Sequence, residues 1–179
     1  MKKIILAAVV MVIVLSTGKS FGQVAELSIT LQSFISFTVT APPPVVFDTE
    51  DEYTDGIENL ATNNISVISS GGYIVKAIAG QITGTSALEA GSVKITAANG
   101  TGGGNFTGKT YPADVVLPAS TGSPATILTS TVSSWSGSTA ATQFNVTYKI
   151  GTDAAYAGKF TGTSPVANVI PVVYTVTAQ

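Results

Sequence analysis

The stretch Gly103 to Thr110, GGNFTGKT, satisfies the pattern G-x-x-x-x-G-K-[ST] at every position. In that pattern backbone N–H groups and a lysine cradle nucleotide phosphates, and the positive end of a following helix completes the anion site. Here the helix is missing from the sequence. After Thr110 comes YPADVVLP, where Pro112, Pro118 and the pair Val115-Val116 oppose several turns of helix. A composition rich in Gly and Thr produces such matches without a phosphate site. The stretch is therefore expected to be a long surface hairpin loop that binds no nucleotide.

A second concentration of chemistry is acidic. Six of the ten Asp and Glu residues fall between Asp48 and Glu58. Asp48, Glu50, Asp51 and Asp55 supply hard oxygens of the kind that bind calcium. Their spacing does not follow the helix-loop-helix calcium loop, since counting from Asp51 puts Tyr53 at the third position and Thr62 at the twelfth. The competing reading is a solvated acidic loop without a metal.

Catalytic groups are scarce. The chain has no His, no Cys and no Arg. That excludes thiolate chemistry, disulfides and the usual base for a serine nucleophile. A pair of carboxylates flanking a sugar would suit glycoside hydrolysis. Outside the acidic run only Glu26, Glu89, Asp114 and Asp153 remain, and none stands in a motif. No catalytic residue and no cofactor is expected. Aromatic rings are the remaining means of holding a ligand, by stacking on a sugar or peptide. Trp135, the only Trp, lies among Ser and Gly, and Tyr111 and Tyr156 fall near turns. The three form a candidate stacking platform, with a half-buried core role as the alternative for Trp135.

The elements that must position these residues follow from composition and periodicity. Lys2 and Lys3 precede an apolar run from Ile4 to Leu15 and then small and polar residues. This is the layout of a secretory signal peptide, too short to span a bilayer comfortably. Residues 1–22 are read as that signal and 23–179 as one exported domain, placed at the cell surface, outside the cell or in the periplasm. The exported part carries five lysines against ten acidic residues, a side-chain charge of −5. That balance argues against nucleic acid and against anionic membranes as partners. No insertion into a membrane is expected after the signal is removed.

Thr, Ser, Val, Ile and Gly dominate the exported part, which favours strands and turns, and no helix is expected. In TQFNVTYKIG, Thr142 to Gly151, the residues Phe144, Val146, Tyr148 and Ile150 alternate with polar ones, so one face is core and the other wet. Similar patterns place strands at Leu27 to Leu31, Ile35 to Val39, Val45 to Phe47, Asn64 to Ile68, Tyr73 to Ala79, Val93 to Ala97, Asp114 to Leu117, Ala125 to Val132 and Val172 to Ala178. Turn-forming clusters such as APPP, SSGG and STGSP separate them. Short strands at this spacing predict an all-β antiparallel sandwich.

Two regions resemble bacterial surface β-sandwich families, the fimbrial (pilin-like) subunits and the WxL-type cell-wall domains. The first runs from Phe34 to Gly80, FISFTVTAPPPVVFDTEDEYTDGIENLATNNISVISSGGYIVKAIAG, a Pro-containing strand region, a variable loop and two paired strands. The second is FNVTYKIG together with the ending VIPVVYTVTAQ. The Trp-x-Leu motif of the WxL group has no counterpart, Trp135 being followed by Ser136-Gly137. The resemblance implies an immunoglobulin-like or pilin-like sandwich serving as a non-enzymatic structural or adhesive component. Its implied partners are copies of itself or other surface subunits, with cell-surface glycan or peptidoglycan as the alternative.

Pilin-like subunits join by donating an alternating N-terminal strand to a neighbour's sheet. Val24 to Leu31, VAELSITL, follows the expected cleavage site and puts Leu27, Ile29 and Leu31 on one face. These three are the candidate donor residues. An ordinary first strand paired within its own domain is the alternative.

Overall fold

The computed structural model describes residues 27–179 apart from 85–87, 136–140, 154, 160, 161 and 163. The expected signal segment and Val24 to Glu26 lie outside the described residues. The chain divides into two units, Met1–Gln32 and Ser33–Gln179. Of the first, residues 27–32 are described and form no regular structure. Among its described residues the second contains nine strands, one short α-helix and a 3-10 turn at Ala90–Ser92: β1 (Ile35–Val39), α1 (Glu50–Asp55), β2 (Ile57–Ser69), β3 (Tyr73–Ala79), β4 (Val93–Asn99), β5 (Lys109–Thr110), β6 (Val115–Val116), β7 (Ala125–Ser130), β8 (Thr142–Ile150) and β9 (Val172–Ala178). Among the described residues no helix is long and apolar enough to cross a membrane.

The strands form two antiparallel sheets, one ordered β1-β2-β8-β4-β6 and the other β5-β7-β3-β9. The protein is all-β, as its composition implies. Alternation decides which side chains are covered. On β8, Thr142, Phe144, Val146 and Tyr148 are buried while Gln143, Asn145, Thr147 and Lys149 face outward. On β3 the buried set is Tyr73, Val75, Ala77 and Ala79. Ile65, Val67, Ile95, Phe144 and Val146 from the larger sheet join Val75, Ile127 and Leu128 from the smaller in a single apolar cluster. Two half-apolar sheets thus bury their inner faces against each other. Among the described residues every buried side-chain nitrogen or oxygen has a hydrogen-bond partner.

Several local features depart from the expectations. β2 is far longer than Asn64 to Ile68, and its register against β8 shifts between Ala61 and Ile65. Asn63 sits there at φ 51, a left-handed conformation that Asn tolerates better than most residues. Val45 to Phe47 forms no strand. Three prolines precede it without an N–H to offer, and the Phe47 ring instead packs against Tyr53 and Tyr156, with centroids 5.5 and 5.2 Å away.

The acidic run, expected to be a loop, contains α1. Thr49 caps it: its side chain accepts the Glu52 N–H, and the Glu52 carboxylate accepts the Asp48 and Thr49 N–H groups. Glu50, Asp51 and Glu52 in the first turn suit the positive end of the helix. Those backbone hydrogen bonds hold the Glu52 carboxyl below its usual range. Gly56, at φ 80, turns the chain into β2, where a Cβ would lie 2.5 Å from the Ile150 carbonyl oxygen.

Candidate functional site: the open side of the two sheets

The segment VVYTVTA of β9 carries neither charge nor proline, and neither does ISFTV of β1. Each strand ends its sheet, so among the described residues one edge of its backbone is unpaired. β1 and β9 also lie against each other, which places both free edges on one side of the molecule. At the far side the edges are β5 and β6, of two residues each. Natural sheets guard edges by shortness, charge, proline or bulges. The β5/β6 side is guarded by shortness. The seven residues of β9 and the five of β1 show none of these protections, and the ladders that hold them have regular register.

Ile35 and Phe37 of β1, and Val172, Tyr174 and Val176 of β9, pack on the apolar cluster but remain only partly buried. One polar tie joins the layers on this side. Tyr148 of β8 and Tyr174 of β9 share a hydrogen bond between their hydroxyls. Tyr148 also donates to Asn64 Oδ1 at 3.2 Å, and Asn64 Nδ2 donates to the Thr40 carbonyl oxygen. Burial pushes both tyrosine hydroxyls above their ordinary pKa; Tyr148 raises Tyr174 further, while the hydrogen bond from Tyr174 offsets part of the rise at Tyr148.

Of the candidate donor residues, Leu27 is 83%, Ile29 71% and Leu31 90% exposed. They lie outside every named strand, so the expected strand at Leu27 to Leu31 is absent.

The candidate stacking rings go to separate places. Trp135 is 48% exposed and meets Phe34, itself 42% exposed, edge to face with centroids 5.3 Å apart. Tyr111 leans on Phe144 at 6.2 Å and donates its hydroxyl to Asn99 Oδ1; burial raises its pKa to about 12, with the nearby Tyr73 adding to the effect. Tyr156 is only 6% exposed, held by Phe47 and by a hydrogen bond to Ser92. A ring so covered offers no face for stacking, and no ring contact among the described residues links the three. Phe34 escaped the sequence reading because an aromatic before a strand looks like core until its partner is known.

The acidic candidates are likewise spread out. Among the described residues no group of three or more acidic side chains is placed to hold a metal ion. Asp55 instead lines an open cleft of about 560 Å³ with Thr54, Lys94, Asp114, Lys149, Thr152 and Asp153. In its walls Lys149 pairs with Glu58 at 3.3 Å and Asp114 at 3.1 Å, and Lys94 pairs with Asp153 at 3.5 Å. Asp114 first, and then Glu58, hold the Lys149 ammonium above its ordinary pKa.

The GGNFTGKT segment carries the chain from β4 in one sheet to β5 in the other, so it is not a hairpin. Two of its backbone donors, Asn105 and Thr107, and the two residues before it are held by side chains of the fold. Asn63 Oδ1 accepts the N–H groups of Thr101 and Gly102, Thr142 Oγ1 accepts that of Asn105, and Asn105 Oδ1 accepts that of Thr107. Lys109 turns inward. Its ammonium donates to Ser130 Oγ at 2.8 Å and lies 5.3 Å from the centre of the Tyr73 ring, where burial lowers its pKa. The residues after Lys109 and Thr110 run as short strands, with no helix to receive a phosphate.

Compared with known proteins, the chain matches no family model, no curated protein and no solved structure.

Proposed function

We propose that the chain is an exported, non-enzymatic structural or adhesive subunit of a bacterial surface. In this reading it is an immunoglobulin-like or pilin-like sandwich that associates by laying residues 24–31 of one copy along the free edge of β9 in another. The observation that carries it is the asymmetry of the edges. Two-residue strands close one side, while the other leaves β1 and β9 unprotected above partly buried core residues. An alternating segment with Leu27, Ile29 and Leu31 in water supplies what such an edge lacks. Main-chain hydrogen bonds to β9 would give affinity, and alternate side chains would cover Val172, Tyr174 and Val176. Each large apolar side chain so buried contributes about 1.5–3 kcal/mol before ordering costs.

The test is the association state of the chain purified after export. Wild type is expected to form dimers or longer chains, and Ile29→Asp to remain a folded monomer, because a carboxylate cannot enter an apolar groove cheaply. A wild type that stays monomeric at high concentration contradicts the reading. A second reading, a glycan- or peptidoglycan-binding module, is favoured by the exposure of Trp135. It is weakened by the covered ring of Tyr156.

A further inference from the structure

We propose that Phe34 and Trp135 form an aromatic anchor through which each subunit docks its body against the copy that accepts its N-terminal segment. The proposal rests on the strand-addition reading above. The backbone beside each ring is tied to the sheets. Phe34 donates its N–H to Ser70 Oγ and accepts the Ser70 N–H at its carbonyl oxygen. Trp135 follows Ser134, which is fully buried, donates its N–H to the Ser69 carbonyl oxygen and its hydroxyl to Tyr73. Ser69 stands opposite Ile35 at the start of β1, and Tyr73 stands opposite Ala178 at the end of β9. The pair therefore marks the end of the open side at which β1 begins and β9 finishes.

Chain length forces this pair toward the acceptor. Only Gln32 and Ser33 separate Leu31 from Phe34. Three residue steps span at most about 10 Å even when fully extended. If Leu31 of one copy occupies the groove of another, Phe34 of the donor lies within that distance of the acceptor's edge, and Trp135 comes with it. Large exposed aromatics, Trp above all, are among the side chains that dominate association energies, and with only two side-chain torsions they lose little freedom on burial. The occupant is thus a second copy of this chain, which brings its own tether to the contact.

Trp135 is the only Trp, so its emission reports on this spot alone. The experiment follows emission and sedimentation of the purified exported chain over a range of concentrations, for wild type, Trp135→Ala and Ile29→Asp. The proposal expects wild-type emission to shift to the blue as the protein associates, with no shift in Ile29→Asp. It expects Trp135→Ala to keep the sheet signature in circular dichroism while associating about 30-fold more weakly, as for a residue of hot-spot strength. Wild type that associates through Ile29 with unchanged emission would overturn the anchor and leave the strand-addition reading standing. Association that survives Ile29→Asp, or is absent in wild type, would remove both. A blue shift of the monomeric Ile29→Asp variant on adding soluble peptidoglycan fragments would assign the rings to a glycan and overturn the anchor. Should Trp135→Ala fail to fold, the wild-type emission decides by itself.

Discussion

The hydroxyls of Tyr148 and Tyr174 meet between the two sheets and share a hydrogen bond. Since Tyr148 gives its proton to Asn64 Oδ1, Tyr174 must donate to the Tyr148 oxygen, and the relay continues from Asn64 Nδ2 to the Thr40 carbonyl oxygen. The chain of donors ties β9, the last strand, through β8 to the irregular stretch of β2 and the residue after β1.

Alkaline pH should therefore unfold this protein. Tyr73, Tyr111, Tyr148, Tyr156 and Tyr174 all have pKa values raised chiefly by burial, Tyr111 to about 12. A raised folded pKa means the folded state holds the proton more tightly, so these groups contribute stability fully below the unfolded value near 10 and lose it as pH rises through the folded values. Lys109 acts in the opposite sense, gaining stability as pH climbs from its lowered folded value toward about 10.5, but it is one group against five. The expected melting temperature is steady up to about pH 10 and falls steeply above it, in step with tyrosinate absorbance near 295 nm. Tyrosines that ionise near pH 10 with no loss of fold would contradict this. Tyr148→Phe should cost about 1–3 kcal/mol, since it strands both Asn64 Oδ1 and the Tyr174 hydroxyl, and Tyr174→Phe should cost less.

Asn63 holds the glycine-rich crossover in place. Its N–H donates to Asn145 Oδ1 at 2.8 Å, and its own Oδ1 accepts from Thr101 and Gly102 at 2.9 and 3.2 Å, all from a left-handed backbone. Asn63→Ala removes the acceptor and adds conformational strain, with an expected loss of about 1–3 kcal/mol in denaturant unfolding. Asn63→Gly relieves the strain while losing the same acceptor and should cost less than Asn63→Ala. Equal costs would show that backbone strain contributes nothing here.

The strands were largely legible, and their partners were not. Tyr73 to Ala79 and Val172 to Ala178 stand where alternation put them, because a period of two over seven residues has a single reading. The capping signature Thr49…Glu52 was present in the sequence, yet a helix of six residues leaves no apolar periodicity to read. β5 and β6, at two residues, are defined only by the strands beside them. The same limit applies to the candidate site. Exposure of Leu27, Ile29 and Leu31 follows from a segment that found no strand to pair with, and the open side follows from a strand order that local sequence does not encode. The aromatic platform failed because Tyr156 is claimed by Phe47, a contact spanning most of the chain.

Proteolysis offers a check on the loops. The chain has no Arg, and Lys76, Lys94, Lys109 and Lys149 all lie in strands. Within residues 27–179, Lys159 is the one lysine that is exposed and outside a strand. Limited trypsin digestion of the folded chain is expected to cut first after Lys159, and Lys159→Gln should slow that first cut at least tenfold. First cleavage after Lys76 or Lys149, read by mass spectrometry, would show that the strands open more readily than the loop.

Disulfide trapping tests the central claim most directly, because the natural chain contains no Cys. Thr30→Cys is placed in one preparation, and Val173→Cys, Thr175→Cys or Thr177→Cys on the outward face of β9 in another. The two are mixed and oxidised slowly. Bridging requires the Cα atoms to approach within about 7 Å. Addition of the N-terminal segment along β9 predicts a covalent dimer between the two different variants for at least one β9 position, and none when the second cysteine is at Leu60 on the outer face of β2. No mixed dimer at any β9 position, or an equal yield with Leu60→Cys, would contradict the account.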